Sequence, residues 1–343
     1  MRVQQTLLMG AAHCYRAGVF SRFLLRDFRG FASLDLANLQ RVNLIVGRNN
    51  SGKTSLLEAI ALLCDPKRIS SDLPGLLRAH PGNISDRFLR WIVRDGSVAE
   101  SLLLGEVAAS KPPLRVFMTG KDRAFDQSTS TERQGAFFQD VNLKIAYGKD
   151  FSGASCRVVS VQQREPGALV QLFDRAMSRR GGEERIEMLL READPRLRRI
   201  RIRAPRDEGP FIEVDLGLSE RIPLSQVGQG MSRLVAILSE LLGEATSVCL
   251  IDEIENGLHH SLLPQVWRGL AAAASELDVQ IFATTHSHEC ILAAHEAFSQ
   301  GAAYDLGIIQ LFRLSTDSSS EVQGRVLDRK LIEAAVSGEI DLR

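Results

Sequence analysis

The segment at residues 47–54, GRNNSGKT, has the spacing of a phosphate-binding loop. Its glycines let the backbone wrap tightly enough for successive amide groups to point at phosphate oxygens. Lys53 is placed to reach the β- and γ-phosphates of a nucleotide, and the Thr54 hydroxyl is placed to bind Mg²⁺. The residues predicted to contact the nucleotide are Gly47, Arg48, Asn49, Asn50, Ser51, Gly52, Lys53, Thr54 and Ser55.

A pair of acids, Asp252 and Glu253, follows the apolar run at residues 248–251. Acids at the tip of a buried strand need a cation or water beside them. The alternative to a functional site is that the two acids are simply solvated at the end of the strand. Together with the phosphate loop, the pair indicates that Asp252 binds Mg²⁺ and that Glu253 polarises the attacking water. The sequence has no NKxD base-reading element, so ATP is favoured over GTP.

Two further segments carry residue types that suit phosphate chemistry. Residues 224–230, LSQVGQG, precede a predicted helix, and amides at a helix N-terminus bind anions, with Ser225, Gly228 and Gly230 as candidate donors. His286 follows the apolar run at 280–284 and is placed to contact a γ-phosphate. The plainer alternatives are an ordinary glycine loop and a hydrogen-bonded turn histidine. We therefore predict a catalytic set of Glu253, His286 and Lys53.

The periodicity of the chain predicts the elements that position these residues. After residue 220, helices and buried strands alternate, which is typical of a parallel sheet. The predicted fold is α/β, a P-loop core of mostly parallel strands with an antiparallel N-terminal β subdomain and an inserted lobe. The predicted strands are 20–28, 31–36, 42–46, 157–161, 196–203, 211–216, 248–252, 279–284, 307–313 and 322–326. The predicted helices are 52–64, 85–95, 168–178, 183–193, 231–243, 261–276, 287–296 and 328–337.

The predicted organisation has four parts. These are a loose extension at 1–18, a β subdomain with the phosphate loop at 19–65, an inserted lobe with core strands at 66–215, and the remaining core at 216–343. Too little chain follows His286 for a nuclease domain of about 100 residues, so no intrinsic nuclease is expected.

Composition excludes several classes of protein. The formal net charge of the 343 residues is zero, so there is no overall basic field that would attract nucleic acid. The five cysteines form no CxxC pair, and the histidines match no HExxH pattern, which argues against a zinc site or a disulfide framework. No run of about 18 apolar residues predicts a membrane span. We expect a cytoplasmic protein.

A basic stretch at residues 196–203 is the one local candidate for a nucleic-acid contact. Arg199, Arg201 and Arg203 alternate with isoleucines, so a strand would present them on one face. They could bind a phosphate backbone. We favour the alternative of a solvated face balanced by glutamates, for which the candidates are Glu183, Glu184, Glu187 and Glu192.

The order of phosphate loop, glycine segment, acid pair and histidine resembles the ABC-type ATPase superfamily, most of all SMC/RecF-like heads and the bacterial AAA-labelled ATPases of the OLD-like group. Residues 25–31, LRDFRGF, resemble the family's nFRgF lead-in, and residues 47–60 resemble its phosphate loop and helix. Residues 251–259, IDEIENGLH, resemble its Walker B motif and D-loop, and residues 284–287 its switch region. The signature departs from the transporter form LSGGQ because two residues separate Ser225 from Gly228.

The resemblance implies a homodimer that sandwiches ATP between Lys53 of one chain and Gly230 of the other. It also implies a Mg²⁺-dependent hydrolase that converts ATP and water to ADP and phosphate. The expected role is to drive or gate a separate effector protein in DNA maintenance or anti-phage defence. The alternatives are the ATPase subunit of a membrane transporter and an ATP-gated scaffold with negligible turnover. Gln162 and Gln163 are the candidates for the family's Q-loop glutamine.

Overall fold

The structure of the protein is a computed structural model. It describes residues 20–65, 94, 101–107, 114–120, 133–138, 143–148, 154–159, 166–206, 209–243, 246–301, 304–316 and 319–337. The predicted extension at 1–18, the predicted helix at 85–95 apart from Arg94, and both candidate Q-loop glutamines lie outside these residues.

The described part of the chain is rich in both strands and helices. The strands are β1 (Phe20–Phe28), β2 (Phe31–Ala37), β3 (Val42–Val46), β4 (Ser101–Val107), β5 (Leu114–Gly120), β6 (Arg133–Phe138), β7 (Leu143–Gly148), β8 (Cys156–Val159), β9 (Arg199–Arg203), β10 (Phe211–Asp215), β11 (Ile222–Pro223), β12 (Val248–Ile251), β13 (Gln280–Thr284), β14 (Leu306–Thr316) and β15 (Ser319–Leu327). The helices are α1 (Lys53–Cys64), α2 (Pro166–Met177), α3 (Gly182–Ala193), α4 (Leu224–Val227), α5 (Gln229–Gly243), α6 (Leu263–Glu276), α7 (His288–Ser299) and α8 (Arg329–Val336).

A six-stranded core sheet runs in the order β15-β14-β3-β13-β12-β8. The pairs from β14 to β8 are parallel, and β15 is an antiparallel edge strand. Every residue of β3, β12 and β13 is buried, as expected for parallel strands covered on both faces. The carboxyl ends of these three neighbouring strands therefore meet at one edge of the sheet.

A second sheet, entirely antiparallel, covers one face of the core. Its order is β2-β1-β4-β5-β7-β6. Four of its strands, β4 to β7, come from the region predicted to be an inserted lobe. They join the sheet through the pairing of β1 with β4, in which Leu24 lies opposite Leu104. That part of the lobe thus extends the N-terminal β subdomain.

The helix α1 lies between the two sheets. Its leucines share a hydrophobic cluster with β1 and β2 on one side and with β12, β13 and β14 on the other, so nearly all of it is buried. The Gln280 side chain of the core sheet bonds to both backbone groups of Phe20 in the second sheet. Its Oε1 accepts from the Phe20 amide at 2.8 Å, and its Nε2 donates to the Phe20 carbonyl at 2.9 Å.

Helices cover the opposite face of the core sheet, in a cluster that includes the fully buried Trp267. Several predicted boundaries in this layer differ from the structure by two or three residues, and two of these differences have a visible cause. The strand predicted from residue 196 begins at Arg199, because Asp194 Oδ1 accepts from the Arg196 amide and bends the chain there. The helix predicted from residue 261 begins at Leu263 after a 3₁₀ turn, His260–Leu262, that the His259 side chain caps.

Among the described residues, no helix combines the length and the apolar character needed to cross a bilayer.

Candidate functional site

Three loops that follow neighbouring parallel strands form the candidate site. The phosphate loop follows β3, the acid pair follows β12, and His286 follows β13, which lies between the other two strands. Ligands of open α/β sheets bind at the carboxyl ends of the strands. The core sheet thus brings the sequence-predicted Lys53, Asp252, Glu253 and His286 to one edge.

Glycine is required at two positions of the phosphate loop. Gly47 has a φ of 147°, and a Cβ there would collide with the Leu311 carbonyl oxygen of β14. Gly52 has a φ of 93°, and a Cβ there would lie 2.9 Å from Phe31 Cζ. Asn50, at a φ of 62°, supplies a third left-handed residue. The loop is therefore wrapped tightly against β2 and β14.

Lys53 is folded back onto the loop that it follows. Its Nζ donates to the Gly47 carbonyl at 2.7 Å and to the Arg48 carbonyl at 3.0 Å. Burial lowers the pKa of Lys53 below its ordinary value, and the negative charges of Glu255, Asp252 and Glu253 oppose that shift. The ammonium group thus lies within the electrostatic reach of three carboxylates.

The loop also contains a buried polar atom that a ligand would satisfy. Ser51 is 3% exposed, and its Oγ has no hydrogen-bond partner among the described residues. Unpaired buried polar atoms are uncommon in folded proteins and mark places where a ligand or water is bound. The tight backbone, the lysine and this hydroxyl suit a nucleotide phosphate. The remaining loop positions Arg48, Asn49 and Asn50 are exposed, whereas Ser55 is buried at the start of α1.

Arg313, which the sequence motifs do not single out, secures the loop from β14. Its Nε and Nη2 both donate to the Asn50 carbonyl, at 3.2 and 3.0 Å. Asn50 is one of the left-handed residues, so these bonds hold the loop at a backbone conformation that few non-glycine residues adopt. No sequence motif marks this arginine, because it lies 263 residues from its partner.

Thr284, the last residue of β13, connects the two acids. Its Oγ1 donates to Asp252 Oδ1 at 2.6 Å and accepts from the Glu253 amide at 2.7 Å. Asp252 is 7% exposed, and Glu253 adopts a φ of 44°, which a non-glycine residue rarely does. One buried hydroxyl therefore orients the Asp252 carboxylate and the turn that carries Glu253.

His286 is held by Glu255, another residue to which the sequence motifs assign no role. Glu255 Oε1 accepts from the His286 amide at 2.8 Å and lies 3.0 Å from the ring Nδ1. The His286 side chain is 55% exposed and that of Glu255 is 10% exposed. Glu255 Oε2 is buried and has no hydrogen-bond partner among the described residues.

The glycine segment lies beside the turn that follows the acid pair. Gly230 is buried at the start of α5, and a Cβ there would come within 2.6 Å of Leu262 Cδ1, so close packing accounts for this glycine. Gly228 has a φ of 123° and open space where a Cβ would be. Ser225 is exposed on α4. The Gln229 side chain packs near Gly257.

Mg²⁺, which P-loop ATPases typically use, suits two groups at this edge. The Asp252 carboxylate and the Thr54 hydroxyl are the hard oxygen ligands that this ion prefers. No cluster of three or more His, Cys, Asp or Glu ligands occurs within the described ranges. Such an ion would therefore depend on the nucleotide and water for its remaining ligands, as Mg²⁺ commonly does.

Each arginine on the basic face of β9 is paired with a carboxylate, and two of them share one. Arg201 and Arg203 lie 2.8 and 2.9 Å from oxygens of Glu213, which is 2% exposed. Arg199 lies 3.3 Å from Glu183. Burial raises the pKa of the Glu213 carboxyl, but hydrogen bonds from Arg203 and Arg201 outweigh it and keep that pKa below its ordinary value. Glu183 was among the predicted partners, whereas Glu213, which lies on the neighbouring strand β10, was not.

Two known protein families match this chain. A family described as "AAA domain, putative AbiEii toxin, Type IV TA system" matches residues 118–291, about half of the chain. The chain belongs to this AAA-domain family. A second family, described as "AAA ATPase domain", matches residues 20–176 of the AAA-domain protein and includes the phosphate loop.

Curated relatives of this AAA-domain protein match over shorter segments. An "ATP/GTP phosphatase" of Helicobacter pylori is 32% identical over 77 residues, which are 22% of this chain and 21% of the relative. "DNA replication and repair protein RecF" of Salmonella typhi is 45% identical over 60 residues, 18% of this chain and 17% of the relative. The matched segments thus span about a fifth of these relatives.

Solved structures similar to the AAA-domain protein are SMC heads. An SMC head bound to the C-terminal winged-helix domain of ScpA has a TM-score of 0.55 at 13% identity, covering 91% of this chain and 98% of that one. The SMC head domain of Thermotoga maritima has a TM-score of 0.51 at 14% identity, covering 88% and 97%. These likenesses confirm the predicted P-loop fold. Together with the family matches and the RecF matches they support the predicted resemblance to SMC/RecF-like P-loop ATPases. The finer OLD-like assignment stays a prediction.

Proposed function

We propose that this chain is a Mg²⁺-dependent ATPase that dimerises around ATP and drives or gates a separate effector protein. The observation that carries the proposal is the meeting of Lys53, Asp252, Glu253 and His286 at one edge of three adjacent parallel strands. Nucleotide hydrolysis needs a phosphate cradle, a cation site and a base for water, and these residues supply each part.

Each residue has a defined part in the proposed reaction. Lys53, once it leaves the loop carbonyls, pairs with the β- and γ-phosphates, and the loop amides hold the same oxygens. Asp252 and Thr54 would hold Mg²⁺, which neutralises charge on the phosphates when bound. Glu253 is the base that accepts a proton from the attacking water, and Thr284 keeps the turn that carries it in place. His286 faces the γ-phosphate.

Dimerisation is supported by the position of the glycine segment. Leu224 anchors the segment in the core, and Gly230 and Gln229 lie near Leu262 and Gly257, which follow the acid pair. Ser225 and the open side of Gly228 remain available to a second copy of the chain. We therefore propose that these groups complete the phosphate site of a partner subunit.

The setting is proposed from the relatives. The RecF relatives are named as DNA replication and repair proteins, which supports a role in DNA maintenance. The description of the matched family names a toxin–antitoxin system, so defence is the second setting that we propose. Because the β9 arginines are largely paired with carboxylates, they do not add a strong argument for nucleic-acid binding.

Phosphate release from ATP tests the activity. The wild-type chain with Mg²⁺ is expected to turn over ATP. Lys53→Ala is expected to lose nucleotide binding, and Glu253→Gln to bind ATP while hydrolysing it about 100-fold more slowly, since a general base contributes at least that factor. Glu184→Gln changes an exposed glutamate on α3 in the same way and is the matched control.

Hydrolysis by Glu253→Gln at the wild-type rate would refute the assignment of the base. The same assay with double-stranded DNA, RNA or the product of the neighbouring gene tests the setting. Stimulation by DNA supports DNA maintenance, and stimulation by the protein alone supports a dedicated effector.

A further inference from the structure

Glu255 is a carboxylate at the site that the proposed mechanism does not use. It lies two residues beyond Glu253, with a side chain that is 10% exposed. Its Oε1 alone receives two contacts from His286, the backbone N–H at 2.8 Å and the ring Nδ1 at 3.0 Å. The inference drawn from this pair rests on the proposed function of His286.

The chemistry of this contact decides which ring nitrogen carries the proton. A backbone N–H only donates, so Oε1 acts as an acceptor. The same oxygen, as an acceptor, faces Nδ1 at 3.0 Å, so the ring nitrogen must bear the hydrogen of that contact.

We propose that Glu255 is a positioning residue that holds His286 as the Nδ1–H tautomer, so that the ring presents Nε2 to the nucleotide as a bare acceptor. The hydrogen bond at one nitrogen of an imidazole fixes the state of the other. The His286 side chain is 55% exposed, and its Nδ1 faces the largely buried Glu255 carboxyl group. Nε2, on the opposite side of the ring, is therefore the nitrogen that can contact a ligand.

This arrangement couples phosphate contact to proton uptake. A γ-phosphate oxygen is an acceptor, and two acceptors do not form a hydrogen bond. His286 therefore contacts the phosphate only after Nε2 takes a proton from solvent, which gives an imidazolium that donates to Glu255 and to the phosphate. The charged and titratable groups on the elements that meet at this edge are Lys53, Glu255 with Asp252 and Glu253 before it, and His288 and Glu289 in the first turn of α7.

The tautomer is measurable in the nucleotide-free protein. Long-range ¹H–¹⁵N correlation spectra of protein labelled with ¹⁵N-histidine distinguish the two neutral forms, and the spectrum of His286→Gln assigns the signal. The wild-type protein is expected to show Nδ1–H at His286. An Nε2–H signal would overturn the proposal, whether or not the protein hydrolyses ATP.

Two substitutions separate orientation from charge. Glu255→Gln keeps an oxygen that accepts from the amide and from Nδ1–H, so the tautomer is expected to persist. Glu255→Ala removes the acceptor, so His286 is expected to shift toward the Nε2–H form that free histidine prefers. If Glu255→Ala keeps the wild-type tautomer in a folded protein, the proposal is wrong.

Kinetics provide the second readout. Glu255→Ala is expected to lower kcat about 10-fold or more with a smaller change in KM, by analogy with partners that orient metal-bound histidines, whose loss costs about 10- to 100-fold. Glu255→Gln is expected to retain more of kcat than Glu255→Ala. Equal losses in the two variants would show that the charge of Glu255, and not its hold on the ring, is what the site needs.

Discussion

At the scale of single residues, the site depends on side chains that bond to more than one partner. Glu255 holds two nitrogens of His286, Arg313 donates twice to one loop carbonyl, and Thr284 bonds to both neighbouring acids. These residues do no chemistry themselves. They fix the groups that do, which is how a catalytic geometry is kept within a fraction of an ångström.

The Thr284 hydroxyl offers a sharp test of this view. Thr284→Val has nearly the same shape but removes the donor to Asp252 Oδ1 and the acceptor of the Glu253 amide. A lost partner at buried polar groups costs about 1–3 kcal/mol, so the melting temperature should fall by several degrees. We also expect steady-state phosphate release to fall about 10-fold, since about 1.36 kcal/mol at the transition state is a factor of ten.

Thr284→Ser is the matched control, because it keeps the hydroxyl and loses only a methyl group. It should retain most of the activity. If the valine variant hydrolyses ATP as fast as the serine variant, the hydroxyl does not position the acids.

At the scale of elements, the phosphate loop is shaped by the strands on either side of it. Phe31 of β2 packs against Gly52, and the backbone of β14 lies against Gly47. Arg29, at the turn between β1 and β2, forms a buried ion pair with Glu58 of α1 at 3.0 Å. The β1–β2 hairpin and the β14–β15 hairpin therefore hold α1 and its loop between them.

Gly52→Ala is expected to weaken ATP binding about 10-fold. The new Cβ would face Phe31 Cζ at 2.9 Å, and a φ of 93° is strained for any residue with a Cβ, at a cost of about 1–2 kcal/mol. Titration of a fluorescent ATP analogue measures the loss. Gly209→Ala, where nothing lies within 4 Å of the added Cβ, is the control and should bind as the wild type does. Unchanged affinity in Gly52→Ala would show that the loop adapts.

The elements show why some features are predictable from sequence and others are not. The strand, loop and helix around Lys53 are predictable because their signals lie within one short segment: an apolar run, two glycines and a helical period. The contacts of Thr284 and Glu255 join residues 31 or 32 positions apart, through the pairing of β12 with β13. The period of a single strand does not reveal its partner. For the same reason the sequence predicts an inserted lobe, whereas β4 pairs with β1 and β5, β7 and β6 continue the same sheet.

At the scale of the whole molecule, the described chain contains two segments that we propose to bind phosphate, the loop at residues 47–54 and the glycine segment at residues 224–230. The loop lies at the carboxyl edge of the core sheet, and the glycine segment packs on the turn near Gly257. In the proposed cycle, two copies meet so that each glycine segment covers the ATP of the other. Hydrolysis then separates the copies and moves the partner protein, as in other switches that use bound nucleotide.

The mass of Glu253→Gln in solution tests this central claim most directly. This variant should bind ATP and Mg²⁺ but leave the γ-phosphate in place, so the closed state accumulates. Light scattering is predicted to show the mass doubling when ATP is added, and Lys53→Ala is predicted to show no change. If Glu253→Gln binds ATP, as measured by calorimetry, and its mass stays the same, the ATP-driven dimer is contradicted.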